Sequence, residues 1–343
     1  MATIKEIAKK AGVSAGTVDR VVHNRGEVSE ETKAKVLKII EELNFQPNAV
    51  ARALAVRKKN FKILFITVEH ERHVFFKDVY EAACEKAKEL EEYGVSVTIM
   101  ELGAHYEDWH IPVNELEEYD GIVVGKFNTE PILGVINYAT SNNIPLVYYN
   151  RGEGSEECLA YVGPDYYRAG QIAAGLSTLL AGNDAQICIY SEFYDDISGT
   201  PFNKKSRTLG FKKELSENYP NAKVVEEKLI SESYEENKRA INELIQKYPD
   251  ISVIYIDNPS DYSICKAIHE VDKEKKIKIV THDLVGHQRQ MIKDGIISAT
   301  IGQEPDVQGA LSLDILYKYL AFGEVPEKKD FYTKQNIFIA QNI

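Results

Sequence analysis

At 343 residues, with 44% apolar and 27% charged side chains, the chain is too long for a single small core and ordinary in composition for a globular protein of two or three domains. No apolar run approaches the length that spans a bilayer, and MATIKEIAKK mixes acid with base and lacks the apolar stretch of an export signal, so the cytoplasm is the expected location. The net charge of -12 conceals a division, because residues 1–60 hold 12 Lys and Arg against 7 Asp and Glu (+5), leaving 29 against 46 (-17) for the remainder. Only the first sixty residues suit a polyanion; the rest would repel a phosphate backbone.

The first forty-five residues read as three helices. Thr3 with Glu6 three places on forms a capping box, followed by Ile4, Ile7, Ala8 and Ala11 on one helical stripe. AGVS then supplies a turn in which Gly12 can take positive φ and Ser14 can cap a second helix, whose inner side is Val18, Val21 and Val22. Ser29 caps a third helix, with Val36, Ile39, Ile40 and Leu43 inward and lysines 33, 35 and 38 outward. Helix, Gly-containing turn and short helix, closed by a third, predict a helix-turn-helix domain over residues 1–46. Within residues 47–60, AVARALAVRKKN predicts a small basic helix with Pro47 near its first turn, too short to be stable alone in water and placed as a hinge and linker.

From Phe61 the rhythm changes. KILFITV leads to an amphipathic helix carrying Phe76, Val79, Tyr80, Ala83, Cys84, Ala87 and Leu90, which Gly94 ends. VSVTIM, GIVV, IPLVYYN, AQICIY, AKVVEE, SVIYID, IKIVTH and IISATI repeat the strand with helices between. Such alternation predicts an α/β domain over residues 61–343, made of two lobes, each a doubly wound parallel sheet, with the chain crossing between lobes near 163, 284 and 323.

Ligands of such sheets bind beyond the carboxyl ends of the strands. Asn150 and Arg151 follow LVYY, Asn258 follows VIYID, Asp283 follows KIVTH and Gln303 follows SATIG, while Arg207 lies near a helix start. Amides, a carboxylate and guanidinium groups can each make paired hydrogen bonds to vicinal hydroxyls, as a sugar requires, and Phe75, Phe76, Tyr149, Tyr194 and Trp109 could offer flat faces to its ring. Each of these groups could equally cap a helix or finish a strand; the set points to a ligand. No nucleotide-binding glycine pattern, phosphate loop, nucleophile elbow or HExxH is present, so no catalytic role, cofactor or metal is assigned. HERH at 70–73 is read as a solvated loop edge before a metal site, and Cys84, Cys158, Cys188 and Cys265 as reduced thiols.

The stretch TIKEIAKKAGVSAGTVDRVVHNRGEVSEETKAKVLKIIEELNFQPNAVARAL resembles, nearly position by position, the DNA-binding head and hinge of the lactose/galactose repressor (LacI/GalR) family. Residues 61–343 look like the sugar-binding-protein fold that this family carries as its effector domain, closer to ribose-type binding proteins than to the lactose repressor. YYNRG resembles their Asp-Arg after the fourth strand, KKSRTLGF their arginine-bearing helix start, THD their Asp-bearing strand end and ATIGQEP their glutamine strand end. The resemblance implies DNA-facing roles for Ala15, Gly16, Thr17 and Arg20 on the recognition helix, for Asn48, Ala51 and Arg52 at the hinge, and for Leu54 as a wedge into the central base step. Thr3, Ser14, His23, Asn24 and Arg25 are counted on the same surface. It implies effector contacts for Asn150, Arg151, Arg207, Asn258, Asp283 and Gln303, with Phe75 and Phe76 stacking.

There are departures. Asp19 replaces the usual serine and reads either as an acceptor for a cytosine amino group or as a surface acid orienting His23 or Arg20. GPDYY at 163–167 replaces the commoner Asp-Asn pair, and EHERH the usual Asn-Pro ahead of the aromatic pair. The implied function is a transcription regulator of carbohydrate genes, read as a repressor and not an enzyme, binding pseudo-palindromic operator DNA as a homodimer, with a sugar-like effector between the lobes. With no leucine-heptad tail after Ile343, a dimer is expected before a tetramer. The alternatives are a sugar-binding protein without DNA activity, or a regulator answering a purine or sugar phosphate.

Overall fold

The computed structural model describes residues 4–22, 28–43, 59–71, 74–103, 111–127, 129–192, 204–231, 233–258, 262–274 and 276–343. Three helices come first: α1 (Ile4–Ala11), α2 (Ala15–Val22) and α3 (Glu30–Glu42). Their apolar stripes meet in one small core, in which Ile7, Val18 and Val36 are fully enclosed and Ala8, Ala11, Val21 and Ile39 nearly so. Eight-residue helices such as α1 and α2 hold only through this packing. The turn between them has Gly12 at φ +66°, and the Val13 amide donates to the Ala8 carbonyl at 3.0 Å. Ser14 Oγ accepts from the Thr17 amide at 3.0 Å and Ser29 Oγ from the Thr32 amide at 3.4 Å, so both serines act as caps.

The larger domain continues with β1 (Phe61–Val68), α4 (Val74–Glu92), β2 (Val95–Leu102), a 3-10 turn (Val113–Glu118), β3 (Gly121–Val124), α5 (Glu130–Ser141), β4 (Leu146–Tyr149) and β5 (Ala160–Gly163). After these come α6 (Tyr166–Ala181), β6 (Gln186–Glu192), α7 (Lys204–Asn218), β7 (Lys223–Ile230), α8 (Tyr234–Lys247), β8 (Ile251–Ile256), α9 (Ser263–Val271), β9 (Lys278–His282), α10 (Gln288–Lys293), β10 (Ala299–Gly302), α11 (Pro305–Phe322), β11 (Asp330–Tyr332) and β12 (Asn336–Phe338). One sheet runs β11-β5-β4-β3-β1-β2 and is parallel throughout; the other runs β12-β10-β9-β8-β6-β7, with only β12 antiparallel. Apart from the closing strand, the two sheets share one winding. Helices cover both faces, so β1 is buried almost end to end: Leu64 and Ile66 feed one core layer, Ile63 and Phe65 the other.

The chain passes between the sheets at 163–166, 302–305 and 332–336. The crossings expected near 284 and 323 are therefore misplaced. Residue 284 lies inside the second lobe, because the polar break after β9 leads only to the short α10 and then to β10, which pairs with β9. The real crossing follows β10, after which α11 packs on α4 and on β3, β4 and β5 of the first lobe. Gly323 merely terminates α11 at φ +67°; the chain stays in the first lobe through β11. β5, β11 and β12, of 4, 3 and 3 residues, were too short to leave a readable pattern.

Candidate functional site

Where four of the parallel strands end, polar side chains gather. Asn150 and Arg151 follow β4, Asp257 and Asn258 follow β8, Asp283 follows β9 and Gln303 follows β10. Asn150 and Asp283 have φ of +57° and +68°, a conformation that Asn and Asp tolerate better than other L residues. Their amides nevertheless stay tied to the neighbouring strand, Asn150 N to Val162 O at 3.0 Å and Asp283 N to Ile301 O at 2.9 Å. Backbone twist at these two residues ends each strand at a fixed point.

Arg207 comes from the first turn of α7 and is only 6% exposed. Its guanidinium lies 4.7 Å from the centre of the Tyr166 ring and donates through Nη1 to the Asp257 carbonyl at 2.5 Å. The Asp257 carboxylate accepts from the hydroxyls of Ser191 at 2.8 Å and Thr208 at 3.2 Å, which holds the end of β8 against α7. Asp283 accepts at Oδ1 from Gln303 Nε2 at 2.5 Å, while its carbonyl accepts from the Thr300 hydroxyl at 2.5 Å. Burial pushes the Asp283 carboxyl above its ordinary range, against the opposing pull of Arg207 and the Gln303 hydrogen bond. Two buried polar atoms beside it, Arg207 Nε and Gln303 Oε1, have no hydrogen-bond partner among the described residues.

The aromatic expectation needs one correction. Phe75 and Phe76 meet edge to face at 5.3 Å, and Phe76 lies 6.0 Å from Phe127, whose ring carries Arg151 at 5.1 Å. Phe75 packs against cores of both lobes, whereas Phe76 packs on the first alone. Tyr149 offers no face to a ligand: it is fully buried against Phe65 and its hydroxyl donates to the Ile66 carbonyl at 3.1 Å. Inward alternation in β4 puts it in the core. Trp109 and Tyr194 lie outside the described residues. His70, from HERH, pairs with Glu101 at 2.5 Å and stacks on Tyr80; no metal-holding cluster exists among the described residues. No disulfide joins Cys84, Cys158, Cys188 and Cys265.

On the head, Ala15, Gly16 and Arg20 are exposed and share α2 with the half-exposed Thr17 and Asp19. The Thr17 hydroxyl lies 2.9 Å from Ser14 Oγ, so it is engaged with the cap. Thr3, His23, Asn24, Arg25, Asn48, Ala51, Arg52 and Leu54 lie outside the described residues.

Residues 64–324 match the periplasmic binding protein domain, and residues 3–48 match the bacterial regulatory proteins of the lacI family. The chain belongs to the periplasmic-binding-protein-domain family, and its first residues match a lacI-family regulatory head. Among curated relatives, the probable HTH-type transcriptional repressor ExuR of Bacillus subtilis is 33% identical over 47% of this chain and 51% of its own length. The sucrose operon repressor of Pediococcus pentosaceus is 30% identical over 43% of each, and catabolite control protein A of Streptococcus mutans is 30% identical over 62% of this chain and 60% of its own length. The chain spans about half the length of the curated relatives it matches. Among solved structures, a putative LacI transcriptional regulator from Bacteroides fragilis superimposes with a TM-score of 0.71 at 21% identity, covering 82% of this chain and 98% of that one. AraP, an arabinose binding protein from Geobacillus stearothermophilus, gives 0.68 at 21% identity, covering 82% and 97%. These two likenesses concern the fold.

Several residues at this cleft carry no sequence signal of their own. Tyr166 sits in GPDYY, where the first helical position after the Asp165 cap takes it under Arg207. Asp257 directly precedes Asn258, and Gln308 stands inside α11, five residues past Gln303, where it reads as ordinary helix interior. Only three-dimensional convergence singles them out.

Proposed function

We propose that this chain is a DNA-binding transcription regulator, acting as a repressor of carbohydrate genes, whose operator affinity is set by a small polyhydroxylated effector held between the lobes. The observation that carries the effector reading is the pair of orphaned groups beside Asp283: a buried donor, Arg207 Nε–H, and a buried acceptor, Gln303 Oε1. Leaving such groups unpaired costs free energy, and a sugar hydroxyl, donor and acceptor at once, satisfies both kinds. Asn150, Arg151 and Asn258 supply further polar groups at the same strand ends, and Phe75, in the first turn of α4, a flat one.

DNA binding rests on the exposed face of α2 and on the basic balance of the first sixty residues. Ala15 and Gly16 offer close approach alone, so base choice falls to Arg20 and Thr17, and to Leu54 in the hinge, which would form on the operator and wedge the central step. A homodimer reads a pseudo-palindrome, with two heads on two half-sites. Location in the cytoplasm and the absence of catalysis follow from this reading, and names such as sucrose operon repressor support it by kinship.

Fluorescence anisotropy of the full chain on labelled palindromic duplexes, repeated across salt concentrations and with a panel of pentoses, hexoses, sugar phosphates and purines, tests it. Affinity should fall steeply with salt, since several phosphate contacts release counterions, and one class of sugar should change it. A flat salt response overturns the regulator in favour of a sugar-binding protein, and a response to purines alone overturns the sugar.

A further inference from the structure

Two of the three crossings between the lobes are followed at once by a helix, and each helix sends one buried polar side chain back to the same residue. Tyr166, the first residue of α6, donates its hydroxyl to Asn150 Oδ1 at 3.4 Å. Gln308, in the first turns of α11, accepts at Oε1 from Asn150 Nδ2 at 3.2 Å. Gln308 also donates through Nε2 to the Gln303 carbonyl at 2.9 Å, and Gln303 in turn donates to Asp283. Gln308 has no exposed surface, Asn150 and Gln303 are 6% exposed, and the ring of Tyr166 carries Arg207 on its face. From Arg207 to Asp283 the contacts run unbroken: ring, hydroxyl, Asn150 amide, Gln308 amide, Gln303, carboxylate. The first and last members belong to the second lobe, and the middle of the path belongs to the first.

We infer that Gln308 and Tyr166 are positioning residues that hold the two lobes at one angle by clamping the Asn150 amide between the crossing segments. The chemistry also accounts for the identity of residue 150, where the resemblance leads to an Asp. The Gln303 carbonyl can only accept, so Gln308 must turn its Nε2 toward it and its Oε1 toward residue 150. That oxygen needs a donor. An Asn supplies one and still offers Oδ1 to Tyr166, whereas an ionised carboxylate would meet Gln308 lone pair to lone pair in a site without exposed surface. Asn150 is thus matched to Gln308, and the clamp works before any effector arrives. A ligand that also touches Arg207, Asp283 or Gln303 then meets groups whose spacing across the cleft is already set, which lowers the ordering it must supply.

The test needs neither effector nor DNA, so it stands or falls apart from the regulator reading. In full-length protein with Cys84→Ser, dyes are placed on Leu133→Cys in α5 and Leu179→Cys in α6, exposed positions in the first and second lobes, and the distance distribution is read by single-molecule energy transfer. The unsubstituted relay should give one narrow distribution. Gln308→Met, which keeps the volume and removes both hydrogen bonds, should broaden it roughly twofold, and Tyr166→Phe should broaden it less. Asn150→Gly, which keeps the positive φ, should match Gln308→Met, and the double variant should be no broader than either single one, because the three act as one unit. Asn237→Ala removes an equally buried amide that bonds Ser231 alone among the described residues, within the second lobe, and serves as the control for general loosening. An unchanged width in Gln308→Met and Tyr166→Phe, additive broadening in the double variant, or equal broadening by Asn237→Ala would each overturn the proposal.

Discussion

The carbonyl oxygen of Arg207 rests against the bare Cα of Gly170: a Cβ at that glycine would lie 1.9 Å from it. Gly210 repeats the arrangement in reverse, with the Tyr167 carbonyl 1.9 Å from where its Cβ would be. Helices α6 and α7 therefore touch backbone to backbone, and α7 carries Arg207 to the cleft. Gly170→Ala should force the helices apart at a cost of about 1–3 kcal/mol and move the guanidinium off Tyr166, with about a tenfold loss of effector affinity. Gly175→Ala lies on the same helix, but its Cβ would meet only the Tyr219 hydroxyl at 3.6 Å, an ordinary contact. It should be neutral or stabilising by up to about 1 kcal/mol. Thermal melts and effector titration of the two variants separate close packing from helix propensity.

Asp283 should weaken the fold for the sake of the site. Its carboxyl is raised above the ordinary value of 3.8 chiefly by burial, so the folded chain binds this proton more tightly than the unfolded one. The sign follows: full stability is present below pH 3.8 and is lost as pH rises to the folded value, after which the loss is constant. Asp283→Asn keeps an oxygen to accept from Gln303 and removes the charge. It should raise the melting temperature at neutral pH, give no gain in acid below that window, and weaken effector binding. A melting temperature lower than that of the native protein at neutral pH contradicts the burial penalty.

Much of this architecture could be read in advance because it depends on local signals. Runs such as ILFI and GIVV are apolar on both sides only in a covered parallel sheet, and Ser14 and Ser29 cap helices through neighbours three residues away. The crossings were harder. A crossing is defined by which sheet a later strand joins, and β11 and β12 join different sheets after three residues each. Within the site, Asn150, Arg207, Asp283 and Gln303 were visible as polar residues at strand or helix ends. Tyr149 lies in the core, and its position in the sequence does not reveal this, because an aromatic residue beside them reads the same whether it faces a ligand or the core. Tyr166, Asp257 and Gln308 act on partners from 16 to 158 residues away, and no spacing rule carries that.

The cap on α2 gives a test confined to the head. Ser14 Oγ accepts from the Thr17 amide at 3.0 Å and lies 2.9 Å from the Thr17 hydroxyl. Ser14→Ala removes both contacts and should cost about 1 kcal/mol of helix stability. Because α2 is only eight residues long, that loss falls on the folding of the head rather than on base recognition. Binding to operator-like and scrambled duplexes should weaken by the same factor. Arg20→Ala, on the exposed side of α2, should instead weaken the operator-like duplex more. A selective loss in Ser14→Ala would place Ser14 among the residues that read bases.

His282 makes the second lobe sensitive to acid. The imidazole is 1% exposed, its Nε2 lies 2.8 Å from the Tyr255 hydroxyl, and burial, assisted by Arg207, holds its pKa well below the ordinary 6.5. The folded chain keeps this ring neutral, so unfolding takes up a proton at any pH between the folded and the ordinary value. Stability is complete above 6.5 and falls as pH drops toward the folded value, at up to about 1.4 kcal/mol per pH unit for one proton. Tyr255 also stacks on Phe211 of α7 at 4.5 Å, so charging His282 disturbs the support of the Arg207 helix as well as β9. Melts of the native chain and of His282→Gln, taken from about pH 5 to about pH 8, should differ in slope below 6.5, the variant being the flatter. Asp283→Asn changes the slope with the opposite sign, so combining the two substitutions distinguishes a buried imidazole from a buried carboxyl one residue away. Parallel curves for the native chain and His282→Gln would mean that the ring is not kept neutral by the fold.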